Sequence, residues 1–306
     1  MPRYFLGFDA GGTKTTCAFA DDTHVVAREV GGSIKPLRVT IEQAQENLSN
    51  LLAEISRKSG VNLRNVSASC IGTAGVRLPQ TDGWMRQILS CCAGGEIIIC
   101  GDEEIALDAA FPGEAGVLAM AGTGSNVMGR TSQGKMLNVG GWGPALGDQA
   151  SGHWIALQSL REAFRARDFG VPTRILERAI RHWSADSLEE VVDIANQTPP
   201  PDFSQLAPLV VECAEEGDAI AMQVLELGGR LIGEDAAEAF HHVRKLDPDA
   251  PLPGFAFTGS ILEKVTMVRE SMIETIWRTL PQVHIVPDAV DPIQGALWRA
   301  RQALKQ

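Results

Sequence analysis

The chain has 306 residues, 44% of them hydrophobic, a balance typical of soluble globular proteins with about two domains and a sizeable core. Its 27 Lys+Arg against 38 Asp+Glu leave a formal charge of −11 with no basic stripe or interleaved aromatics, which argues against a nucleic-acid partner. The longest apolar runs, such as Glu96-Ile97-Ile98-Ile99-Cys100, fall far short of a membrane span, and the N-terminus enters a strand without a basic and apolar leader, so a cytoplasmic protein with no membrane partner is expected.

Tyr4-Phe5-Leu6-Gly7-Phe8 reads as a buried strand and Thr16-Cys17-Ala18-Phe19 as a second, joined in a hairpin by Asp9-Ala10-Gly11-Gly12-Thr13-Lys14-Thr15. A P-loop would instead run from strand to helix, and neither G-x-x-x-x-G-K-[ST] nor G-x-G-x-x-G occurs. Gly11 and Gly12 let backbone N–H groups approach an anion closely, and Asp9 at the strand end would then face a hydrated divalent cation. The same residues are also ordinary surface-turn chemistry, so the hairpin alone leaves both readings open.

Val25-Val26-Ala27 continues the sheet, and residues 31–36 read as a loop before a helix capped by Thr40 and Gln43. Ile41, Ala44, Leu48, Leu51, Leu52 and Ile55 recur at helical spacing, so that helix covers one face of the sheet. Residues 66–71 form a strand leading into Gly72-Thr73-Ala74-Gly75, and Ile97-Ile98-Ile99 one leading into Gly101-Asp102. Strand–helix alternation after an initial meander describes an open sheet, whose ligands bind outside the carboxyl ends of its strands. Asp9, Thr73 and Asp102 all fall there, although Asp102 also suits the N-cap of the helix that follows.

A second meander repeats the first: residues 117–121 enter Gly122-Thr123-Gly124-Ser125-Asn126 and leave through Val127-Met128-Gly129-Arg130. Two copies of strand, glycine-hydroxyl turn and strand suggest two related halves closing on a ligand, with a boundary near Pro112-Gly113. The loop Gly140-Gly141-Trp142-Gly143-Pro144-Ala145-Leu146-Gly147-Asp148 feeds a helix expected from about 149 to 167. Trp142 there suits a stacking contact with a sugar ring, with residue statistics favouring a core plug. Asp148 suits a ligand contact or a helix cap.

Residues 150 to 250 read as mostly helical, broken at Gly170-Val171-Pro172, at Thr198-Pro199-Pro200-Pro201 and at Gly217-Asp218, with His241-His242 capping the last helix. Phe255-Ala256-Phe257 is a strand leading to Thr258-Gly259-Ser260 and another helix, and Asp291-Pro292 opens a terminal helix as N-cap and first residue. The six cysteines show no C-x-x-C spacing, and those in strand-like runs read as reduced core thiols.

Taken together, the segments resemble the sugar kinase, hsp70 and actin superfamily, and more narrowly the N-acetylglucosamine kinase group of the BadF/BadG/BcrA/BcrD ATPase family. The most specific part is Ala121-Gly122-Thr123-Gly124-Ser125-Asn126, then Gly140-Gly141-Trp142-Gly143, then Leu146-Gly147-Asp148-Gln149-Ala150-Ser151-Gly152-His153-Trp154. The resemblance implies an α/β protein of two ribonuclease-H-like, actin-like ATPase domains, each a mixed sheet with flanking helices, and a cleft between them. The expected domains are 1–113 with the terminal helix 292–306, and 114–291 with a helical insertion.

It implies ATP and Mg2+ as cofactors and an amino sugar, N-acetylglucosamine or glucosamine, as the small-molecule substrate; a homodimer is compatible with it. Asp9 falls on the metal shell; Gly11, Gly12, Thr13 and Lys14 on the first phosphate element; Thr123 and Gly124 on the second; and Gly259 and Ser260 on the adenosine element. Asp102 matches the catalytic base, and Thr73, Asn126, Gly141, Trp142 and Asp148 the sugar contacts, with the 6-hydroxyl as acceptor. Two departures stand out: Ser33-Ile34-Lys35-Pro36 lies where close relatives carry a sugar-binding asparagine, and Glu103-Glu104 add negative charge beside Asp102. An ATPase that activates a partner dehydratase and a non-catalytic sugar sensor are the alternatives within the resemblance. The first needs separated, reachable thiolates to ligate a cluster, whereas Cys91 and Cys92 are adjacent.

Overall fold

The computed structural model describes residues 2–35, 39–73 and 79–304. It divides into two compact units, Met1–Gly116 with Val290–Gln306, and Val117–Ala289.

The first unit is built on a five-stranded sheet. In chain order its elements are β1 (Tyr4–Ala10), β2 (Lys14–Ala20), β3 (Val25–Gly32), α1 (Ile41–Ser59), β4 (Val66–Thr73), α2 (Pro79–Cys92), β5 (Glu96–Cys100) and α3 (Asp102–Ala110). The sheet order is β3-β2-β1-β4-β5; β1 is antiparallel to β2 and parallel to β4, which is parallel to β5. Successive side chains point to opposite faces of a strand, so β1 serves two cores. Leu6 and Phe8 pack with Leu48, Leu52 and Ile55 of α1 and with Met85 and Leu89 of α2. Phe5, on the other face, packs with Ile105 of α3 and with Ile293 and Leu297 of the chain's last helix. Each fully buried side chain of this size contributes about 1.5–3 kcal/mol.

The second unit starts as the first does, with β6 (Gly116–Ala121), β7 (Ser125–Arg130) and β8 (Met136–Val139). Helices α4 (Gly152–Asp168), α5 (Ile175–Trp183), α6 (Leu188–Ala195), α7 (Ala207–Glu215) and α8 (Ala219–Leu246) follow, then β9 (Gly254–Thr258), α9 (Ser260–Lys264) and α10 (Thr266–Thr279). The sheet order is β8-β7-β6-β9, and its core joins Val117, Ala119 and Val127 to Ile155 of α4, Phe240 of α8 and Phe255 of β9. The last helix, α11 (Pro292–Ala303), belongs to the first unit, with Asp291 as N-cap accepting from Ile293 N at 3.3 Å.

Several local expectations need correction. Gly31 and Gly32 continue β3 because they pair with Thr15 and Lys14; Pro36 of the expected loop lies outside the described residues. Gly72 and Thr73 end β4, while Ala74 and Gly75 lie outside the described residues. Thr40 Oγ1 accepts from Gln43 N at 3.2 Å, but Gln43 turns its amide to Glu46 and Asn47, so only the hydroxyl half of the capping box forms. The helix expected from 149 begins at Gly152, because Asp148 (φ 62) and Ala150 (φ 65) are left-handed and Ser151 supplies the cap to Trp154 N at 3.1 Å. The helix expected to end at His241-His242 runs on to Leu246, and Asp247 N closes it on Val243 O. A further break falls at Ser184 (φ 51).

Candidate active site

The parallel register aligns the carboxyl ends of three strands: Asp9 of β1 pairs with Gly72 of β4, and Gly72 with Cys100 of β5. Asp102 follows β5 after one residue, Gly101. The two carboxylates interact: burial raises Asp9 from an ordinary 3.8 to about 6, with the charges of Asp102 and then Asp291 adding to the rise and Lys14 and Arg28 opposing it. Low dielectric and like charge both disfavour the ionised form.

The turn after Asp9 is closed by Gly11 N donating to Lys14 O at 3.0 Å, and braced by Ser33 Oγ donating to Gly11 O at 3.0 Å. Gly12, Thr13 and Lys14 stay exposed, so the tip of the turn between β1 and β2 is open to solvent. Thr73 is fully buried, and its hydroxyl donates to Ala10 O at 3.2 Å, tying β4 to the end of β1.

Asp102 is the first residue of α3 rather than its cap, which is Gly101. With that role taken, the Asp102 side chain is not committed to the helix start, although its Oδ1 accepts from Glu103 N at 3.1 Å. Glu104 reaches back so that its Oε1 accepts from Gly101 N at 3.1 Å, and its Oε2 pairs with Arg299 Nη1 of α11 at 2.9 Å. Arg299 also pairs through Nε with Asp108, a buried carboxylate that accepts from Gly113 N at 3.1 Å. Glu104 is therefore neutralised by a partner some two hundred positions away. Glu103 is pushed up to about 8 by burial, a side-chain hydrogen bond with Asp102 and the Asp102 charge.

Within the second unit, the turn between β6 and β7 is closed by Gly122 N donating to Gly124 O at 2.9 Å, and anchored by Gly152 N on Gly122 O at 2.7 Å. Thr123 and Gly124 remain exposed. Asp148 is 7% exposed; its Oδ1 accepts from Gly143 N at 3.1 Å, and its Oδ2 lies 3.0 Å from where a Cβ on Gly124 would stand. Burial raises the Asp148 carboxyl, while the N–H groups of Gly143 and Ser125 act in the opposite sense. Asp148 thus joins the glycine loop to the turn instead of capping α4.

Gly141 (φ 69) approaches Asn126 so closely that a Cβ there would meet Oδ1 at 2.6 Å, and that buried oxygen has no hydrogen-bond partner. A buried unpaired acceptor beside a bare backbone suits a ligand hydroxyl or amide. Trp142 is 75% exposed and Leu146 82%, so Trp142 does not plug the core. The positive φ of Gly140, Gly141 and Gly143 turns that loop outward. Gly259 (φ 98) lies against the Ala121 carbonyl, and a Cβ on Gly122 would stand 3.8 Å from Ser260 Oγ, so the adenosine and phosphate candidates of this unit adjoin.

Asp291, Arg28, Glu103 as a hydrogen-bond partner, Arg299 and Asp235 were not singled out from sequence. Asp235 Oδ2 stands 3.2 Å from a would-be Cβ on Gly140, and burial raises its carboxyl. Asp291 read only as a helix cap; α11 packs on the first sheet, so this acid from the far end of the chain acts on Asp9. No local pattern carries that information.

Among the described residues no group of three or more His, Cys, Asp or Glu is arranged to enclose a metal. Mg2+ does not require one, because it keeps several waters and is completed by phosphate oxygens around one or two carboxylates. Asp9, raised first by burial and then by the charges of Asp102 and Asp291, fits that use: a hydrated cation would oppose both effects and hold it ionised.

The paired units, each opening with a hairpin that carries a glycine-hydroxyl turn, define a two-domain α/β protein of the actin-like ATPase class. The chain belongs to the BadF/BadG/BcrA/BcrD ATPase family, whose sequence model matches residues 6–300. It is 26% identical over 308 residues to an N-acetylmuramic acid/N-acetylglucosamine kinase of Clostridium acetobutylicum, spanning 98% of each chain. It is 27% identical over 328 residues to an N-acetyl-D-glucosamine kinase of Dictyostelium discoideum, again over 98% of each. A Chromobacterium violaceum protein provisionally assigned as an N-acetylglucosamine kinase has a structure that superposes with TM-score 0.74 at 25% identity, over 96% of this chain and 98% of that one.

Proposed function

We propose that this chain is an ATP-dependent hexosamine kinase that transfers the γ-phosphoryl group to the 6-hydroxyl of N-acetylglucosamine or glucosamine. The observation that carries the reading is the placement of Asp9 at the carboxyl end of β1 and Asp102 just beyond that of β5 in one parallel register, where the Asp102 charge adds to the burial that raises Asp9. The names of the similar kinases support the sugar class.

Phosphoryl transfer needs positioning and charge neutralisation more than covalent help from the protein. The exposed residues Gly12, Thr13 and Lys14 receive ATP phosphate oxygens, with Lys14 adding positive charge, while the Gly11 N–H closes the turn that presents them. Within the second unit, Thr123 and Gly124 form the second phosphate element that the resemblance implies, and Gly259 and Ser260 beside them the adenosine element. Asp9 would hold Mg2+ through water, and the ion would supply positive charge against that of the transferred phosphoryl group. Asp102 accepts the proton of the sugar hydroxyl as that oxygen attacks the γ-phosphorus and the bond to the ADP oxygen breaks. Asn126 Oδ1, the Gly141 backbone and Asp148 contact sugar hydroxyls or the acetamide, while Trp142 offers a ring face. Thr73 acts by fixing the end of β1 through its hydroxyl rather than by contacting the sugar.

The test is ADP release by purified protein with ATP and Mg2+ against N-acetylglucosamine, glucosamine, N-acetylmuramic acid and glucose, with phosphorus NMR locating the phosphate. Sugar-dependent ADP release confined to hexosamines, with a 6-phosphate product, is expected. ADP release that no sugar stimulates would overturn the reading.

A further inference from the structure

Residues 33–35 fall where the resemblance places a sugar contact, yet their polar groups are engaged by the turn expected to hold phosphate. Ser33 Oγ donates to Gly11 O at 3.0 Å and accepts from Lys35 N at 3.2 Å, and Ile34 N donates to Thr15 Oγ1 at 3.2 Å. Gly11 precedes the exposed residues Gly12, Thr13 and Lys14, and Thr15 follows them, so Ser33 and Ile34 form a strap that straddles the turn. Gly11 is held at both of its backbone groups, since its N–H closes the turn on Lys14 O.

The strap is in turn held from α1. Asn47 Nδ2 donates to Ser33 O at 2.8 Å and Asn47 Oδ1 accepts from Gln43 Nε2 at 3.2 Å, so both ends of the carboxamide are satisfied in one orientation. The carboxamide lies against Gly32, where a Cβ would meet Nδ2 at 2.6 Å, and Gly32 pairs with Lys14 across β2 and β3. Ile34 is 1% exposed and packs in the core with Leu48 and Leu52 of α1. We propose that Asn47 is a positioning residue for the nucleotide, an inference that rests on the kinase reading above: it fixes Ser33, and Ser33 with Ile34 holds both ends of the turn, so that Gly12, Thr13 and Lys14 meet the ATP phosphates already arranged. A turn arranged beforehand loses less conformational freedom when phosphate arrives.

Titration calorimetry with a non-hydrolysable ATP analogue and Mg2+ reads the effect without turnover. Asn47→Ala removes the donor while keeping a good helix former, and Ser33→Ala removes the link to Gly11. Each is expected to weaken analogue binding about 3- to 10-fold, the range of one neutral hydrogen bond, while the Kd for N-acetylglucosamine measured without nucleotide stays as in the wild type. The two residues act along one path, so the double variant should bind the analogue no more weakly than Ser33→Ala alone. Thr15→Val keeps the shape but loses the acceptor for Ile34 N and should show the same weakening, and Thr15→Ser, which keeps the hydroxyl, should restore affinity. A residue that only stabilised α1 would lower the melting temperature without moving the Kd for the analogue.

Nitrogen-15 relaxation of the free protein supplies a readout independent of any ligand: backbone order parameters at Gly12, Thr13 and Lys14 are expected to fall in Asn47→Ala and Ser33→Ala. Analogue affinity unchanged in folded Asn47→Ala, or an equal loss of analogue and sugar affinity, would overturn the proposal. A wild type that binds no analogue, with order parameters that still fall in both variants, would instead reject the kinase reading and leave the strap standing. Unchanged order parameters in that case would overturn the strap as well.

Discussion

Arg299, near the end of the chain, pairs through Nε with the carboxylate of Asp108, whose side chain is wholly buried in α3. The same guanidinium holds Glu104 at 2.9 Å, and Glu104 Oε1 accepts from Gly101 N, so one cation fixes both the middle and the start of the helix that presents Asp102. Bare backbone allows the approach: a Cβ on Gly295 of α11 would collide with the Ile105 carbonyl of α3. The last helix is thus part of the support for the proposed base.

Replacing Arg299 leaves a buried carboxylate without its cation, a loss of about 3–5 kcal/mol where one partner of a buried pair is removed. Arg299→Met is expected to lower the urea midpoint accordingly, and Asp108→Leu added to it should restore part of the loss. A midpoint unchanged in Arg299→Met would show that the pair contributes little.

Stability without nucleotide should depend on pH in an unusual sense. Asp9 rises from 3.8 to about 6 and Glu103 from 4.5 to about 8, so the folded chain holds these protons more tightly than the unfolded chain. Their contribution is fully present below about pH 4 and is lost as pH rises through 6 and then 8. Between pH 6.5 and 8.5 the Glu103 share, allowing for solvent screening, is about 1–2 kcal/mol. Thermal melts should show the folded state weakening over that interval, and Glu103→Gln should flatten the decline. Equal stability at both pH values would contradict the assignment of the proton.

Much of the first unit is legible in sequence, because β1, β2, β4 and β5 are short apolar runs punctuated by glycine, and the α1 apolar stripe has helical period. Asp9 and Asp102 emerge as candidates because both follow such runs. Arg299, Asp291 and the compensation of Glu104 do not emerge, since they depend on where α11 docks rather than on any local pattern. Residue statistics favour burial of a ring as large as Trp142, but the left-handed glycines around it turn the loop toward solvent, which only the structure shows.

Asp102→Asn removes the proton acceptor while keeping size and most hydrogen bonding. General-base catalysis contributes about 10²–10⁴-fold, so kcat is expected to fall within that range while calorimetry still records sugar binding. Unchanged turnover in a folded variant would remove Asp102 from the mechanism.

Gly141→Ala tests the second unit separately. The residue sits at φ 69, and the added methyl would meet Asn126 Oδ1 at 2.6 Å, so the loop and the unpartnered oxygen must move apart. KM for the sugar is expected to rise about tenfold, equivalent to about 1.4 kcal/mol, with KM for ATP little changed. A larger effect on ATP would reassign the Asn126 pocket to the nucleotide.

Trp142 offers the sharpest contrast between a packing role and a ligand role. A ring 75% exposed contributes little to folding, so Trp142→Ala is expected to leave stability within about 0.5 kcal/mol. A core ring would lose about 3–5 kcal/mol on the same change. If the ring stacks on the sugar, KM for the hexosamine rises by about 2- to 10-fold, the equivalent of an aromatic contact of about 0.5–1.5 kcal/mol, and Trp142→Phe restores most of it. Unaltered sugar KM in Trp142→Ala would leave Asn126, Gly141 and Asp148 to hold the sugar without a ring face.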